Sequence, residues 1–459
     1  MKTLEDRPKI QGENTKFSSN GAAKTTPYTQ PAPNRRARRP RVLVVGAGFG
    51  GLNAARTLED TGVDVMVLDC NNYHGFWPLL YQVATAGIES EAIAYPVRGV
   101  FRGHNNIRFR MSTVTGVDLA RKVVLTENLP IAYDYLILAA GSANNYFGNN
   151  ELAKHTFGLK DIDEAEHLRN RLLYSYEQAA IEVDPKRRQE LMTFVIVGGG
   201  PTGVELSGAI SELIHLVFRK DYPGLDLSRS RVILVEATDK VLASFPESLQ
   251  QAARRDLKER RVELRLNSKV QSVENGVVTF EDGSTIKAAA VVWAAGVRGS
   301  HLGDTLGVET GKGGRVKVTP QLHVPGHPEV FVVGDMSYLE GYKGGQAYPM
   351  VAQVAIQQGK HAARNILAQV ARQPMRPFRY FDYGSMATIG RRSAVFDAFG
   401  VRLSGRVAWF GWLFVHILYL IGFRNRVIVL TNWAYNYFAA ERAVRLITGK
   451  DLEMQPIGE

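Results

Sequence analysis

Two uncharged amides stand four residues apart in the segment Tyr348-Pro-Met-Val-Ala352-Gln353-Val-Ala355-Ile-Gln357-Gln-Gly359. A helix there puts Gln353 and Gln357 on one face. Each amide can donate to and accept from a planar carbonyl compound, and the small Ala352 and Ala355 leave it room. A second kind of chemistry is written in glycine. The apolar run Arg41-Val42-Leu43-Val44-Val45 leads into Gly46-Ala-Gly48-Phe-Gly-Gly51, a helix and a second apolar run, Val63 to Leu68, that ends in Asp69. Gly46 suits a tight turn, Gly48 lets backbone approach a pyrophosphate, and Gly51 lets helix pack on strand. The helix N-terminus faces the negative charge, and Asp69, 21 residues beyond Gly48, is placed to accept hydrogen bonds from a ribose.

The unit recurs. Thr193 to Val197 reads as a strand, Gly198-Gly-Gly200-Pro-Thr-Gly203 follows, and Val232 to Val235 ends in Glu236. Two dinucleotides are implied. The acid lies 36 residues past Gly200, a spacing that a longer connection through Asp221-Tyr-Pro-Gly-Leu explains. Glu236 suits a free 2′-hydroxyl and repels a 2′-phosphate, so this turn favours NAD over NADP. Leu138-Ala-Ala-Gly141, Trp293-Ala-Ala-Gly296 and Val333-Gly334-Asp335 also end apolar runs with small residues.

Other chemistries are excluded by what is missing. The single cysteine, Cys70, permits no intrachain disulfide, no dithiol chemistry and no cysteine-ligated metal. It follows Asp69 at a strand end and reads as a packing residue. No metal site is expected, because no ligand cluster exists, and none of the ten histidines sits in a Ser-His-Asp arrangement. The opening MKTLEDRPKI has no apolar stretch, so we expect no secretory signal and a reducing, cytoplasmic setting. The net charge of +11 sits at the two ends: residues 1–41 carry ten basic residues against three acids, and residues 391–450 carry nine against two. Such ends suit an anionic surface, lipid or nucleic acid. Nucleic acid is the poorer fit, because no recognition module accompanies the charge.

The elements that must position these residues follow from apolar runs too uniform to be amphipathic, as in parallel strands buried on both faces. They recur at Leu136, Val195, Val232, Val291 and Val330, with helices predicted over 50–60, 161–181 and 202–218. The rhythm is that of doubly wound α/β domains. Residues 1–40 show no apolar period and read as a basic flexible tail.

In this order the motifs resemble the flavoprotein disulfide-reductase-like superfamily, whose two Rossmann-like domains hold FAD and NAD(P)H. The resemblance implies a discontinuous FAD-binding domain, 41–160 and 326–390, with a nicotinamide domain, 161–325, inserted, and it makes Asp335 a flavin ligand. Cysteine-dependent members of the superfamily are excluded. The Ala-Gln-x-x-x-Gln segment is similar to the quinone signature of type II NADH dehydrogenases, which do not pump protons. Pro78-Leu-Leu-Tyr-Gln-Val-Ala84, Gly200-Pro-Thr-Gly-Val-Glu205 and Phe381-Asp-Tyr-Gly-Ser-Met-Ala-Thr-Ile-Gly390 also resemble that family. The likeness runs from about 41 to 445. It implies FAD and NADH as cofactors, a quinone acceptor (menaquinone or ubiquinone), a homodimer, and a place on the cytoplasmic face of the cell (inner) membrane. It also implies a part in proton or charge handling for Glu205. Some members carry a lysine before the glycine that matches Gly384, where this chain has Tyr383.

Val407 to Phe423 is a 17-residue stretch without formal charge, at the lower limit for crossing a bilayer. Trp409, Trp412 and Trp433 lie in or just beyond it, flanked by Arg402, Arg406, Arg442 and Arg445, a mixture suited to a lipid interface. We read 391–459 as a membrane-anchoring region of amphipathic helices, with a span or a dimer helix as alternatives. The function expected is a peripheral membrane NADH:quinone oxidoreductase. Its rivals are a soluble reductase with a protein or oxygen acceptor and a non-catalytic NADH-binding flavoprotein. Glu236→Ala is expected to narrow the preference for NADH over NADPH; equal kcat/KM ratios in variant and parent would remove that role from Glu236.

Overall fold

The computed structural model describes residues 38–439, 441, 442 and 444–448. The basic tail therefore lies outside the described residues up to residue 37, as do residues 449–459.

Five apolar residues in succession present no polar face, so such a strand must be covered on both sides. β1 (Arg41–Val45) is the first, with Val42 to Val45 buried. The chain turns into helix α1 (Phe49–Thr57) and returns as β2 (Asp64–Asp69), parallel to β1. The short helix α2 (Leu80–Ala84) follows, then β3 (Ile107–Met111) beyond β2 and β4 (Tyr135–Leu138) on the other side of β1. A 20-residue helix, α3 (Ile162–Ile181), is capped by the Asp161 carboxylate and leads into the second unit.

That unit repeats the plan. β5 (Thr193–Val197) runs into α4 (Pro201–Glu212), and β6 (Arg231–Val235), β7 (Val262–Arg265) and β8 (Ala290–Trp293) complete a parallel sheet in the order β7-β6-β5-β8. The chain then goes back to the first sheet. The hairpin β9 (His323–Val324) and β10 (His327–Val332) joins the free edge of β4, giving β9-β10-β4-β1-β2-β3.

Helix α5 (Ala352–Val370) carries the two glutamines and packs directly on α1. A Cβ on Gly359 would lie 2.1 Å from the Gly50 carbonyl oxygen, so the backbones touch there. A three-stranded antiparallel sheet follows, β11 (Ser385–Gly390), β12 (Ser393–Ala398) and β13 (Val401–Gly405). α4 is pinned to β11 in the same way, because a Cβ on Gly208 would lie 1.9 Å from the Ile389 carbonyl oxygen.

One predicted helix changes, and the anchoring region takes its two-helix form. The helix predicted over 202–218 is α-helical only to Glu212; Leu213–Phe218 continues with wider π turns, which bury Leu213, Ile214, Val217 and Phe218 together. The apolar stretch 407–423 is also broken. It forms α6 (Arg406–Tyr419), and α7 (Phe423–Ala439) starts after Gly422, whose φ is +87°. Among the described residues no helix is long and apolar enough to cross a membrane. Ala408, Trp412, Asn425 and Val429 face inward, whereas Val407, Phe410, Phe414 and Leu418 of α6 and Phe423, Val427, Leu430 and Phe438 of α7 are exposed.

Candidate functional site

The two glycine turns match contact for contact. Gly46, at φ +100°, donates its N–H to the Leu68 carbonyl at 2.7 Å, and a Cβ on it would lie 2.3 Å from the Ala139 oxygen. Gly198, at φ +115°, donates to Val235 at 2.7 Å, and its Cβ would lie 2.5 Å from the Ala294 oxygen. The third glycines sit under the first: a Cβ on Gly51 would lie 1.8 Å from the Gly46 oxygen, and one on Gly203 1.9 Å from the Gly198 oxygen. The middle glycines, Gly48 and Gly200, have nothing within 4 Å of the Cβ position. Each is the N-cap of its helix and neither helix end has a side-chain cap, so the first N–H groups are free to meet an anion. Closed walls, an open middle and an uncapped helix end fit a pyrophosphate at each turn.

Each acid closes its turn. Asp69 accepts from Ala47 N at 2.6 Å and Asn71 N at 2.8 Å, and burial pushes its carboxyl above the usual range. Glu236 accepts from Gly199 N at 2.7 Å and Thr238 N at 2.9 Å. The two Ala-Ala-Gly segments supply the carbonyls that press on Gly46 and Gly198; Gly141 has φ +68°, and a Cβ on Gly296 would meet the Phe147 ring at 3.2 Å. The reading of Cys70 as a packing residue is corrected: β2 ends at Asp69, the chain turns outward, and the thiol is exposed.

Asp335, behind Gly334 at φ +67°, accepts from the Ser142 hydroxyl at 2.7 Å, and Lys160 Nζ reaches the same hydroxyl at 2.8 Å. Burial lowers the ammonium pKa of Lys160 against the pull of Asp335 and Glu164. Ser142 and Lys160 carried no sequence motif. Their one signal was position: Ser142 directly follows Gly141.

Gln353 and Gln357 do lie on one face of α5, but both amides are engaged with backbone. Gln353 donates to the Gly384 carbonyl at 2.7 Å and accepts from Tyr383 N at 3.1 Å; Gln357 donates to the Phe381 carbonyl at 2.8 Å and accepts from Phe381 N at 2.9 Å. The pair clamps residues 381–384, which present the exposed Phe381 and Tyr383 side chains. Each amide retains one further donor and acceptor position.

Four residues beyond Gly384, on β11, Thr388 donates its N–H to the carboxylate of Glu205 on α4 at 3.2 Å. Gly384 and Thr388 can be no more than about 14 Å apart along extended chain, so Glu205 and Gln353 act on one short segment. Glu212, Arg442 and the indole of Trp412 share a cavity with Glu205. Desolvation pushes the Glu205 carboxyl up to about 8; Thr388 N–H and the Trp412 indole favour its charge without offsetting that. The indole N–H makes no hydrogen bond of normal length, so its effect is that of a nearby dipole.

Paired dinucleotide cradles, each with its own uncapped helix and closing acid, define a pyridine-nucleotide flavoprotein oxidoreductase. Residues 40–359 match the family model for pyridine nucleotide-disulphide oxidoreductases and residues 383–441 that for the NDH2 C-terminal domain. The type II NADH:quinone oxidoreductase Ndh of Mycobacterium tuberculosis is 42% identical over 426 residues, covering 90% of this chain and 91% of its own. The internal alternative NAD(P)H-ubiquinone oxidoreductase A1 of Arabidopsis thaliana mitochondria is 30% identical over 443 residues, covering 88% and 86%. The fold is shared with NDH2 from Plasmodium falciparum in complex with NADH, at TM-score 0.81 and 19% identity over 90% of this chain and 100% of that one. This chain belongs to the type II NADH:quinone oxidoreductases, and its cofactors are FAD and NADH.

The raised Glu205 pKa has a sign. Below about 4.5 the carboxyl is protonated folded or unfolded; between 4.5 and about 8 only the unfolded chain ionises, so stability falls as pH climbs through that window and then levels. Urea titrations of the parent and Glu205→Gln from pH 4 to pH 9 are expected to diverge in that window, with the parent losing more stability. Parallel curves would mean an ordinary carboxyl.

Proposed function

We propose that the first cradle (Gly46, Gly48, Gly51, Asp69, with Gly141, Gly334 and Asp335) holds FAD and the second (Gly198, Gly200, Gly203, Glu236, with Gly296) holds NADH. The FAD-binding domain is then discontinuous, with the NADH-binding domain inserted into it. The enzyme oxidises NADH and reduces a membrane quinone. FAD, when bound, supplies the two-electron acceptor between hydride donor and quinone. In net terms NADH, quinone and one proton give NAD⁺ and quinol, so one proton per turnover must come from water.

One observation carries the reading. The helix of each cradle is pinned, backbone to backbone, to an element of the 381–388 segment's support: α1 to α5, which clamps residues 381–384, and α4 to β11. The two cofactors and the segment that bears Tyr383 are thereby held in one frame. Gln353 and Gln357 present residues 381–384 to the quinone and contribute their spare amide positions to it. Glu205 holds a proton at the same segment.

The surface supports quinone access from lipid. Exposed Phe381, Tyr383 and Phe399 adjoin one another, and the apolar surface continues along the chain through Val401, Leu403 and Val407 to the outer stripes of α6 and α7. With Arg402, Arg406 and Arg424 at its margins, this face docks on an anionic membrane surface. A homodimer is part of the same reading on family likeness, and light scattering of the purified holoenzyme tests it; a monomer at all concentrations would remove it.

Stopped-flow mixing is the direct test: NADH is expected to bleach the flavin, and a short-chain quinone to restore it. Bleaching without reoxidation by quinone would overturn the function. For the membrane face, two phenylalanines at about 1.5–3 kcal/mol each are at stake in Phe410→Asp/Phe414→Asp. Cosedimentation with anionic vesicles should weaken at least about tenfold, and unchanged binding would place the lipid contact elsewhere.

A further inference from the structure

A cavity of about 120 Å³ lies between α2, α4, β11, α6 and α7, closed by residues 441 and 442. At roughly 10–15 Å³ of such space per molecule it has room for several waters. Its wall is mostly apolar, with three tryptophans, but a few polar side chains converge in it. Glu205 and Glu212 line it from α4, seven residues apart and so on one face, roughly 10 Å apart along the axis. Trp412, 1% exposed, brings an indole N–H without a hydrogen-bond partner. Tyr81 brings a hydroxyl that accepts from Gln82 at 2.8 Å.

The two carboxyls differ in company. Glu205 has no cation within ion-pair distance among the described residues and is desolvated. Glu212 lies 3.5 Å from Arg260 Nε and 3.9 Å from Arg442, and accepts from Arg391 N. Arg442 is held over the cavity by the Thr85 and Ala209 carbonyls. A Cβ on Gly390 would come within 2.4 Å of both the Arg260 and Glu212 side chains, so that glycine lets the pair form. Outside them stand Asn436 and Glu441, whose side chain is 45% exposed.

We propose that this cavity is the proton inlet of the enzyme, with Glu212, held in place by Arg442, as the station that passes protons from solvent to Glu205. The proposal rests on the quinone-reductase reading and adds a route to it. The proton leaves water at the Glu441 side, crosses by Glu212 and cavity water, and is held on the Glu205 carboxyl. It ends on a quinol oxygen while NADH supplies both electrons. Glu205, left as a carboxylate, is refilled by the same path. The charged and titratable groups bordering the path are Tyr81 from α2, Glu212 from α4 with Arg260 beside it, Arg391 after β11, Tyr437 from α7, and Glu441 with Arg442, Glu441 being met by Lys220 and Tyr435. His416 of α6, stacked on Trp412 at 3.9 Å, stays neutral because burial lowers its pKa to about 4.

The test uses holoenzyme and two readouts. In stopped flow with a pH-indicator dye, Glu212→Gln is expected to slow quinone reoxidation and dye-reported proton uptake together, by about tenfold or more at pH 8 and less at pH 6. Bleaching by NADH, which needs no proton from water, serves as the internal control. In the resting enzyme, the infrared carboxylic C=O band that disappears in Glu205→Gln should re-equilibrate after a pH jump about tenfold more slowly in Glu212→Gln. Asn436→Leu, which narrows the mouth without touching the ion pairs, should give the same delay if Glu212→Gln fails to fold. Parent-like proton uptake and parent-like infrared kinetics in both variants overturn the inlet. A parent that quinone does not reoxidise at all defeats the quinone-reductase reading instead, and the infrared arm then decides the inlet alone.

Discussion

In each cradle the carbonyl oxygen of the first glycine occupies the place where a side chain on the third would begin, 1.8 Å away in one turn and 1.9 Å in the other. The same backbone contact recurs where α5 meets α1 and where β11 meets α4. No side chain can be inserted at these points without moving a helix. That constraint fixes the distance from each dinucleotide turn to the elements that carry Gln353, Gln357 and Glu205. It is also economical in dynamics, because backbone packed on backbone has no rotamers to exchange. Functional side chains are thus positioned from glycine contacts rather than from one another.

What could be read from the chain follows from distance in sequence. Strand, glycine turn, helix and closing acid lie within about thirty to forty-five residues in each unit, and the contacts from the third glycine and the closing acid to the turn are made by near neighbours along the chain, although the carbonyls of Ala139 and Ala294 close the turns from afar. The sheets were therefore legible, as was the place of Asp69 and Glu236. The partners of Gln353 and Gln357 were not, because an amide at a helical i, i+4 spacing says which face it shares but not what lies against it. Here that is the backbone of 381–384. Ser142 meets Asp335 across 193 positions, and Lys160 joins them through the Ser142 hydroxyl. Arg442 reaches Thr85 across 357 positions. No local pattern encodes such approaches.

The C-terminal helices show a different limit. Composition alone makes 407–423 nearly uniform in hydrophobicity, so its inner and outer faces are indistinguishable until something covers one. Trp412 stacks on His416 and meets Tyr81 edge-on, which selects the inner face of α6. Asn425 donates to the Glu91 and Ala94 carbonyls, and the turn at Gly422 folds α7 back from α6. These contacts hold the first turn of α7 against the body of the protein, so the break at Gly422 is fixed by a polar residue with a specific set of partners beside a glycine that can take positive φ.

Glu205 must satisfy two opposed demands. A carboxyl that stores a proton near neutral pH has to be dry, since desolvation is what raises its pKa. A carboxyl that delivers a proton each turnover has to be reachable by water. A uniformly apolar pocket would meet the first demand and fail the second, and an open cleft would do the reverse. Separating the two along one helix resolves the conflict: Glu205 keeps the end without a paired cation, and Glu212, with Arg260 and Arg442 beside it, holds the end two turns away. The tryptophans then have a definite task. They line the volume between the two carboxyls with apolar rings, which favours the neutral form of Glu205 while the polar groups among them can hold water.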